Sequence, residues 1–135
     1  MRRRFGGKAT GHRSSFEASG QVILETAKIK FEYEPKDKKI RYIKPSTSHL
    51  YLPDYILDNQ IHLELKGLFS TTDRKKHLLI KEQHPKIDIR IVFQEPNKKL
   101  SKKSKTTYAM WCEKNGIKWG TLDMIVQWAK EPKRK

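Results

Sequence analysis

The run Pro53-Asp54-Tyr55-Ile56-Leu57-Asp58-Asn59-Gln60-Ile61-His62-Leu63-Glu64-Leu65-Lys66 divides into two strand-like halves about the triplet Asp58-Asn59-Gln60. The triplet is turn-prone, and Asn59 is a residue type that accepts a positive φ, so the halves are expected to pair as a hairpin. With those residues as the loop, Leu57 pairs with Ile61, and counting outward places Asp54 opposite Glu64 with Cβ atoms roughly 5 Å apart. A loop of another length would misalign the two carboxylates. Alternation along the second half sends Ile61, Leu63 and Leu65 to one face and His62, Glu64 and Lys66 to the other. The apolar face supplies a core and the polar face a site.

Facing carboxylates repel, which raises the cost of ionising both unless a hard cation lies between them. Mg²⁺ prefers oxygen ligands and suits such a pair, with Mn²⁺ as the alternative ion. Lys66, one pleat from Glu64, is placed to orient an attacking water or to stabilise charge building on a phosphate. In a chain one-third charged, Pro-Asp followed by Glu-x-Lys also arises by chance on an exposed hairpin face. The hairpin register and the basic balance of the chain weigh toward a site.

That balance is pronounced: 30 Lys and Arg against 15 Asp and Glu leave a formal charge of +15 on 135 residues. A compact fold tolerates such self-repulsion more readily when a polyanion neutralises it, so nucleic acid is the expected partner. A basic membrane-surface protein should carry an amphipathic helix with a broad apolar face or a lipidation signal, and neither is present. Cys112 is the only cysteine, which excludes an intrachain disulfide and makes an intracellular site of action the expectation. No apolar run is long enough to span a bilayer, and Met-Arg-Arg-Arg leads into Phe5-Gly6-Gly7 rather than a signal-peptide core. The length suits one domain.

Around the hairpin the chain punctuates itself clearly. Residues 1–13 carry Arg2, Arg3, Arg4, Lys8 and Arg13 with three glycines and no acid, the composition of a flexible basic arm. Ser14 to about Lys28 reads as a helix, with Ser14 and Glu17 as a capping box, although Gly20 weakens it. Ile29 to Glu34 alternates as a strand with Ile29, Phe31 and Tyr33 inward, and Ile40 to Lys44 is a second strand, stopped by Pro45 and the polar Ser46-Thr47-Ser48. Ser70 to Asp73 offers N-caps for a helix running to His84, where Pro85 ends it. Ile87 to Phe93 is a strand, Gln94 to Thr107 a Lys-rich loop, and Tyr108 to Asn115 a helix closed by Gly116. A last helix spans Leu122 to Lys130, before a frayed basic tail at 131–135. The order describes an α/β domain over 14–130, a mixed β-sheet flanked by helices.

Other chemistry-bearing residues have structural explanations. On local grounds Glu17 is better explained as the acid of a cap than as a catalytic group. His12, His49, His62, His77 and His84 lack zinc-ligand spacing, and one cysteine builds no zinc cluster. Trp111, Trp119 and Trp128 sit in apolar patterns that favour core packing over base stacking.

Arg13-Ser-Ser-Phe-Glu17, Ile29-Lys-Phe-Glu-Tyr-Glu34, Pro53-Asp54, Glu64-Leu-Lys66-Gly67, Asp73-Arg-Lys-Lys-His-Leu-Leu-Ile80, Glu82-Gln-His-Pro85, Asp88-Ile-Arg-Ile-Val-Phe93 and Cys112-Glu-Lys occur in this order along the chain. In these segments the sequence resembles the phage endonuclease I family, Holliday-junction resolvases of short-tailed phages within the P-D…(D/E)-x-K nuclease superfamily. The resemblance implies a restriction-endonuclease-like core and a phage-encoded enzyme of the host cytoplasm that cleaves four-way junctions and other branched DNA. It implies Glu17, Asp54 and Glu64 as catalytic, metal-binding acids and Lys66 as the lysine of the motif, which overrides the local reading of Glu17. It further implies an intertwined homodimer, with residues 14–39 exchanged between subunits and 40–48 as the bridge. Arg2, Arg3, Arg4, Arg13, Arg74, Lys75, Lys76, Lys98, Lys99, Lys102, Lys103 and Lys105 are then expected to hold the DNA arms. Two departures stand out: His62 occupies a site-facing position that is apolar in the family, and the sequence stops soon after Pro132, short of the family's longer basic tail. The competing readings are a nuclease of the same superfamily with another DNA substrate and a non-catalytic nucleic-acid-binding protein.

Overall fold

The computed structural model describes residues 15–44 and 47–133. The basic arm with Arg2, Arg3, Arg4 and Arg13, the cap residue Ser14, Pro45, Ser46 and the last two residues lie outside the described residues. The elements, in chain order, are α1 (Ser15–Thr26), β1 (Phe31–Tyr33), β2 (Ile40–Lys44), β3 (Thr47–Tyr51), β4 (Tyr55–Leu57), β5 (His62–Lys66), α2 (Thr71–Gln83), β6 (Ile89–Phe93), α3 (Tyr108–Lys114), β7 (Lys118–Gly120) and α4 (Ile125–Ala129).

One five-stranded sheet runs β1-β4-β5-β6-β7. β1, β4 and β5 pair antiparallel, whereas β5, β6 and β7 pair parallel, so the sheet is mixed as expected. Tight connections suit the antiparallel half, and the helices α2 and α3 supply the crossovers that parallel neighbours require. Alternation sorts the side chains into two layers. Leu63, Leu65 and Val92 pack with Leu24 of α1 and with Ile125 and Trp128 of α4. On the other face Ile91 and Phe93 meet Phe69, Tyr108 and Cys112. Trp128 is buried and Trp111 and Trp119 border the second cluster, in line with a packing role.

Gly20 is explained by its neighbour: a Cβ there would lie 2.8 Å from Leu65 Cδ2, so the missing side chain lets α1 approach β5 closely. α2 begins at Ser70, whose hydroxyl accepts from the Asp73 amide at 3.1 Å while the Asp73 carboxylate accepts from the Ser70 amide at 3.1 Å. This capping box satisfies two of the orphan donors at the helix start.

Several expectations need correcting. β2 ends at Lys44 as expected, but the polar residues after Pro45 open a strand that was not expected: Thr47–Tyr51 forms β3, paired with β2 from Lys44↔Thr47 to Ile40↔Tyr51. The pair is held against α2 by Gln83, whose side-chain amide donates to the Ile43 carbonyl and accepts from the Ile43 amide, both at 2.7 Å. The three residues of β7 escape sequence periodicity, and the last helix starts as a 3-10 turn at Leu122–Met124. Glu131 is not frayed: it forms an ion pair at 2.9 Å with Arg90, which is also bonded to Asp88 and stacked on Trp128. Among the described residues no helix is long and apolar enough to cross a membrane.

Candidate active site

The hairpin register is the expected one. Tyr55 pairs with Leu63 and Ile56 with His62, and the Leu57 amide donates to the Ile61 carbonyl at 2.9 Å. Continuing that count sets Asp54 opposite Glu64. The positive φ of the turn falls on Gln60 (75°) instead of Asn59. Asn59 is buried, and its amide donates to the carbonyls of Trp128 and Glu131, so the turn also anchors the C-terminal segment.

Asp54 lies at the bend before β4, almost wholly buried. Its Oδ2 accepts from the Leu65 amide at 2.9 Å, a side chain standing in for the next rung of the ladder. The bond fixes the carboxylate beside β5. On its other side the Asp54 carbonyl accepts from the Glu34 amide at 3.0 Å. Glu34 has φ 42°, a left-handed conformation that costs a non-glycine residue on the order of 1 kcal/mol.

Glu17, Glu34 and Asp54 each offer a carboxylate oxygen, and the three oxygens lie within 4.8 Å of one another. Glu17 arrives from the first turn of α1, and Tyr33 donates to its Oε1 at 2.9 Å while Tyr55 donates to its backbone carbonyl at 2.6 Å. Burial, reinforced by Glu17, pushes the Tyr33 phenol well above its ordinary range, so it remains a donor. The sequence reading passed over Glu34, because an alternating strand assigns that position to solvent. Only the turn at the end of β1 aims it inward.

Glu64 stands outside this triad of oxygens. Its Oε1 accepts from the Tyr51 hydroxyl at 2.7 Å, and its Oε2 lies 3.7 Å from Lys66 Nζ. Lys66 is also 3.2 Å from Asp73. Burial alone would raise the Asp73 pKa, but Lys66 and the bonds to Ser70 outweigh it and hold the carboxyl below its usual value. Asp73, a helix cap by its spacing, therefore also steadies the lysine. His62 shares the polar face of β5, yet its Nδ1 is 2.9 Å from the Gln60 carbonyl, and burial lowers its pKa. The structure ties this ring back to the turn.

The described cations expected at DNA lie on the loop before α3 and on α2. Lys98, Lys99, Lys102, Lys103 and Lys105 are exposed on the loop before α3, which is closed by a bridge between Lys99 and Thr107. Lys75 is exposed; Lys76 lies over the Tyr51 ring, 5.4 Å from its centroid. Arg74 is folded onto its own helix start, donating to the Phe69 carbonyl and the Thr71 hydroxyl.

Carboxylates converging from three segments, a lysine on the adjoining strand and a surplus of cations fit a nuclease. Comparison with known proteins narrows this. The chain belongs to the phage endonuclease I family, whose model matches residues 1–135. It is 48% identical over 127 residues to "Endonuclease I" of Escherichia phage T7, covering 94% of this chain and 84% of that protein. It is likewise 48% identical over 122 residues to "Endodeoxyribonuclease 1" of Enterobacteria phage T3, covering 90% of this chain and 79% of that protein. The chain is accordingly an enzyme, an endonuclease.

Proposed function

We propose that this endonuclease acts on DNA and resolves four-way (Holliday) junctions and other branched DNA by Mg²⁺-dependent phosphodiester hydrolysis, as a homodimer in the host cytoplasm. The observation that carries the reading is the convergence of Glu17, Glu34 and Asp54 from three separate segments, beside the strand that bears Glu64 and Lys66. A set of carboxylate oxygens fits a hard divalent cation. Glu17, Glu34 and Asp54 would hold it, with Glu64 as a further ligand from the adjoining strand. When bound, such an ion supplies Lewis-acid and water-activating chemistry. Lys66, braced by Asp73, would set its side-chain amine against the negative charge that develops on the phosphate. Lys75, Lys76 and the 98–105 loop, together with Arg74 and the arm residues Arg2, Arg3, Arg4 and Arg13, bind the duplex arms through phosphate.

The dimer is the exchanged one. α1 and β1 pack on β4 and β5 of the same chain here, and only two residues separate the paired Lys44 and Thr47. Opening that hairpin lets the same contacts form with a second copy at little cost, the usual route to exchanged dimers. Each site would then join Glu17 and Glu34 of one subunit to Asp54, Glu64 and Lys66 of the other.

The test is cleavage of a synthetic four-way junction and a linear duplex of the same sequence, with Mg²⁺ and with a chelator. Paired incisions in the junction that need Mg²⁺ are expected. Equal cleavage of the linear duplex would point to a different DNA substrate, and binding without cleavage in either Mg²⁺ or Mn²⁺ would reject the proposal.

A further inference from the structure

Tyr51 ends β3 and is buried, with its ring edge-on to His77 at 5.4 Å and beneath Lys76 at 5.4 Å. Its backbone is fixed by pairing with Ile40. A buried phenol must find a hydrogen-bond partner, and phenylalanine would fill the same space without that requirement. The partner here is Glu64 Oε1 at 2.7 Å, and the charges of both Glu64 and Asp54 act on the phenol. A glutamate has three rotatable bonds, so a donor held this rigidly selects one orientation of its carboxylate.

We propose that Tyr51 is a positioning residue for Glu64: its hydroxyl holds one carboxylate oxygen and thereby sets the orientation in which Glu64 meets a divalent cation at the site. This rests on the metal-dependent reading above. The action of Tyr51 runs through Glu64, as that of the outer partners of metal-binding carboxylates does. Tyr51 also connects the β2–β3 hairpin directly to an acid of the site, two residues before Pro53 and three before Asp54.

The experiment compares Y51F, E64Q and Y51F/E64Q. Mn²⁺ binding to the protein without DNA is measured by calorimetry, alongside kcat and KM on a four-way junction and the thermal midpoint. Y51F keeps the ring, so its midpoint should stay within a few degrees of the parent. Its Mn²⁺ affinity or its kcat should fall about 10-fold or more, the usual effect of losing an outer partner, with KM little changed. Adding Y51F to E64Q should weaken Mn²⁺ binding no further. Unchanged Mn²⁺ binding and kcat in Y51F, with E64Q inactive, would overturn the role of Tyr51 and leave the site reading intact. A further loss in the double variant, or a loss of Mn²⁺ and junction binding together with the fold, would also overturn it. Full turnover in E64Q would instead remove the site reading itself.

Discussion

Asp54 and Glu34 meet through one backbone bond, and each carries a different lesson about acid placement. Asp54 is held by the Leu65 amide, so Asp54→Asn keeps the shape but loses the charge that makes the bond strong. Asp54→Asn, Glu64→Gln and Lys66→Ala should each lower junction cleavage by about 100-fold or more, while binding changes little, because affinity comes from Lys and Arg contacts to phosphate. Retained turnover in Asp54→Asn, measured under single-turnover conditions, would remove it from the site. Glu34 contributes through strain: at φ 42° a glycine would be at ease. Glu34→Gly should therefore lose most cleavage activity with no drop in thermal midpoint, since strain relief of about 1 kcal/mol offsets the entropy that glycine adds to the unfolded chain. A melt paired with a cleavage assay checks both halves.

At the scale of elements, α2 does three things: it caps itself through Ser70 and Asp73, steadies Lys66, and carries His77 into the interior. Burial, aided by the charges of Lys76 and Lys66, pushes the His77 pKa down to about 3, and its Nε2 has no hydrogen-bond partner among the described residues. The ring is neutral in the folded chain, whereas in the unfolded chain it takes up a proton below about 6.5. Between those values unfolding binds the extra proton. Stability therefore falls as the pH drops from about 6.5 toward 3, by up to about 1.4 kcal/mol per pH unit from this group. His77→Phe should flatten that part of the curve in denaturant melts taken from about pH 7 to pH 4. An unchanged slope in the variant would assign the acid sensitivity to other groups.

For the whole molecule the formal charge of +15 dominates. Junction affinity should fall steeply with salt, by a logarithmic slope of about 0.9 for each phosphate neutralised, and at every salt concentration should exceed affinity for linear duplex. Equal affinities in filter binding would favour a general nucleic-acid binder. The proposed exchange between subunits makes a separate prediction. Homodimers of Glu17→Ala and of Asp54→Ala should both be inactive, yet the heterodimer of the two should regain nicking of one strand. Exchange joins the intact Glu17 of one chain to the intact Asp54 of the other and leaves the second site doubly defective. A purified heterodimer that does not nick would reject the exchange and leave the catalytic assignment standing.

The Asp54–Glu64 register, the alternation that separates Leu63 and Leu65 from Glu64 and Lys66, and the start of α2 were legible along the chain. Each is set by neighbours within a few residues: the loop length, the two-residue period of a strand and the reach of a cap to the third residue. The same local logic misassigned Glu34 and passed over both β3 and β7. β3 exists because β2 and the Gln83 side chain supply partners, and β7 because β6 offers a parallel edge. Tyr51 on Glu64, Asn59 on Glu131 and Arg90 on Glu131 join residues 13, 72 and 41 positions apart. What the sequence determined by itself was the hairpin register, the alternation of β5, the start of α2 and the sign of the charge. The tertiary structure alone decided that Glu34 joins Glu17 and Asp54, because burial, hydrogen bonding and a strained φ are satisfied only when distant segments close on one another.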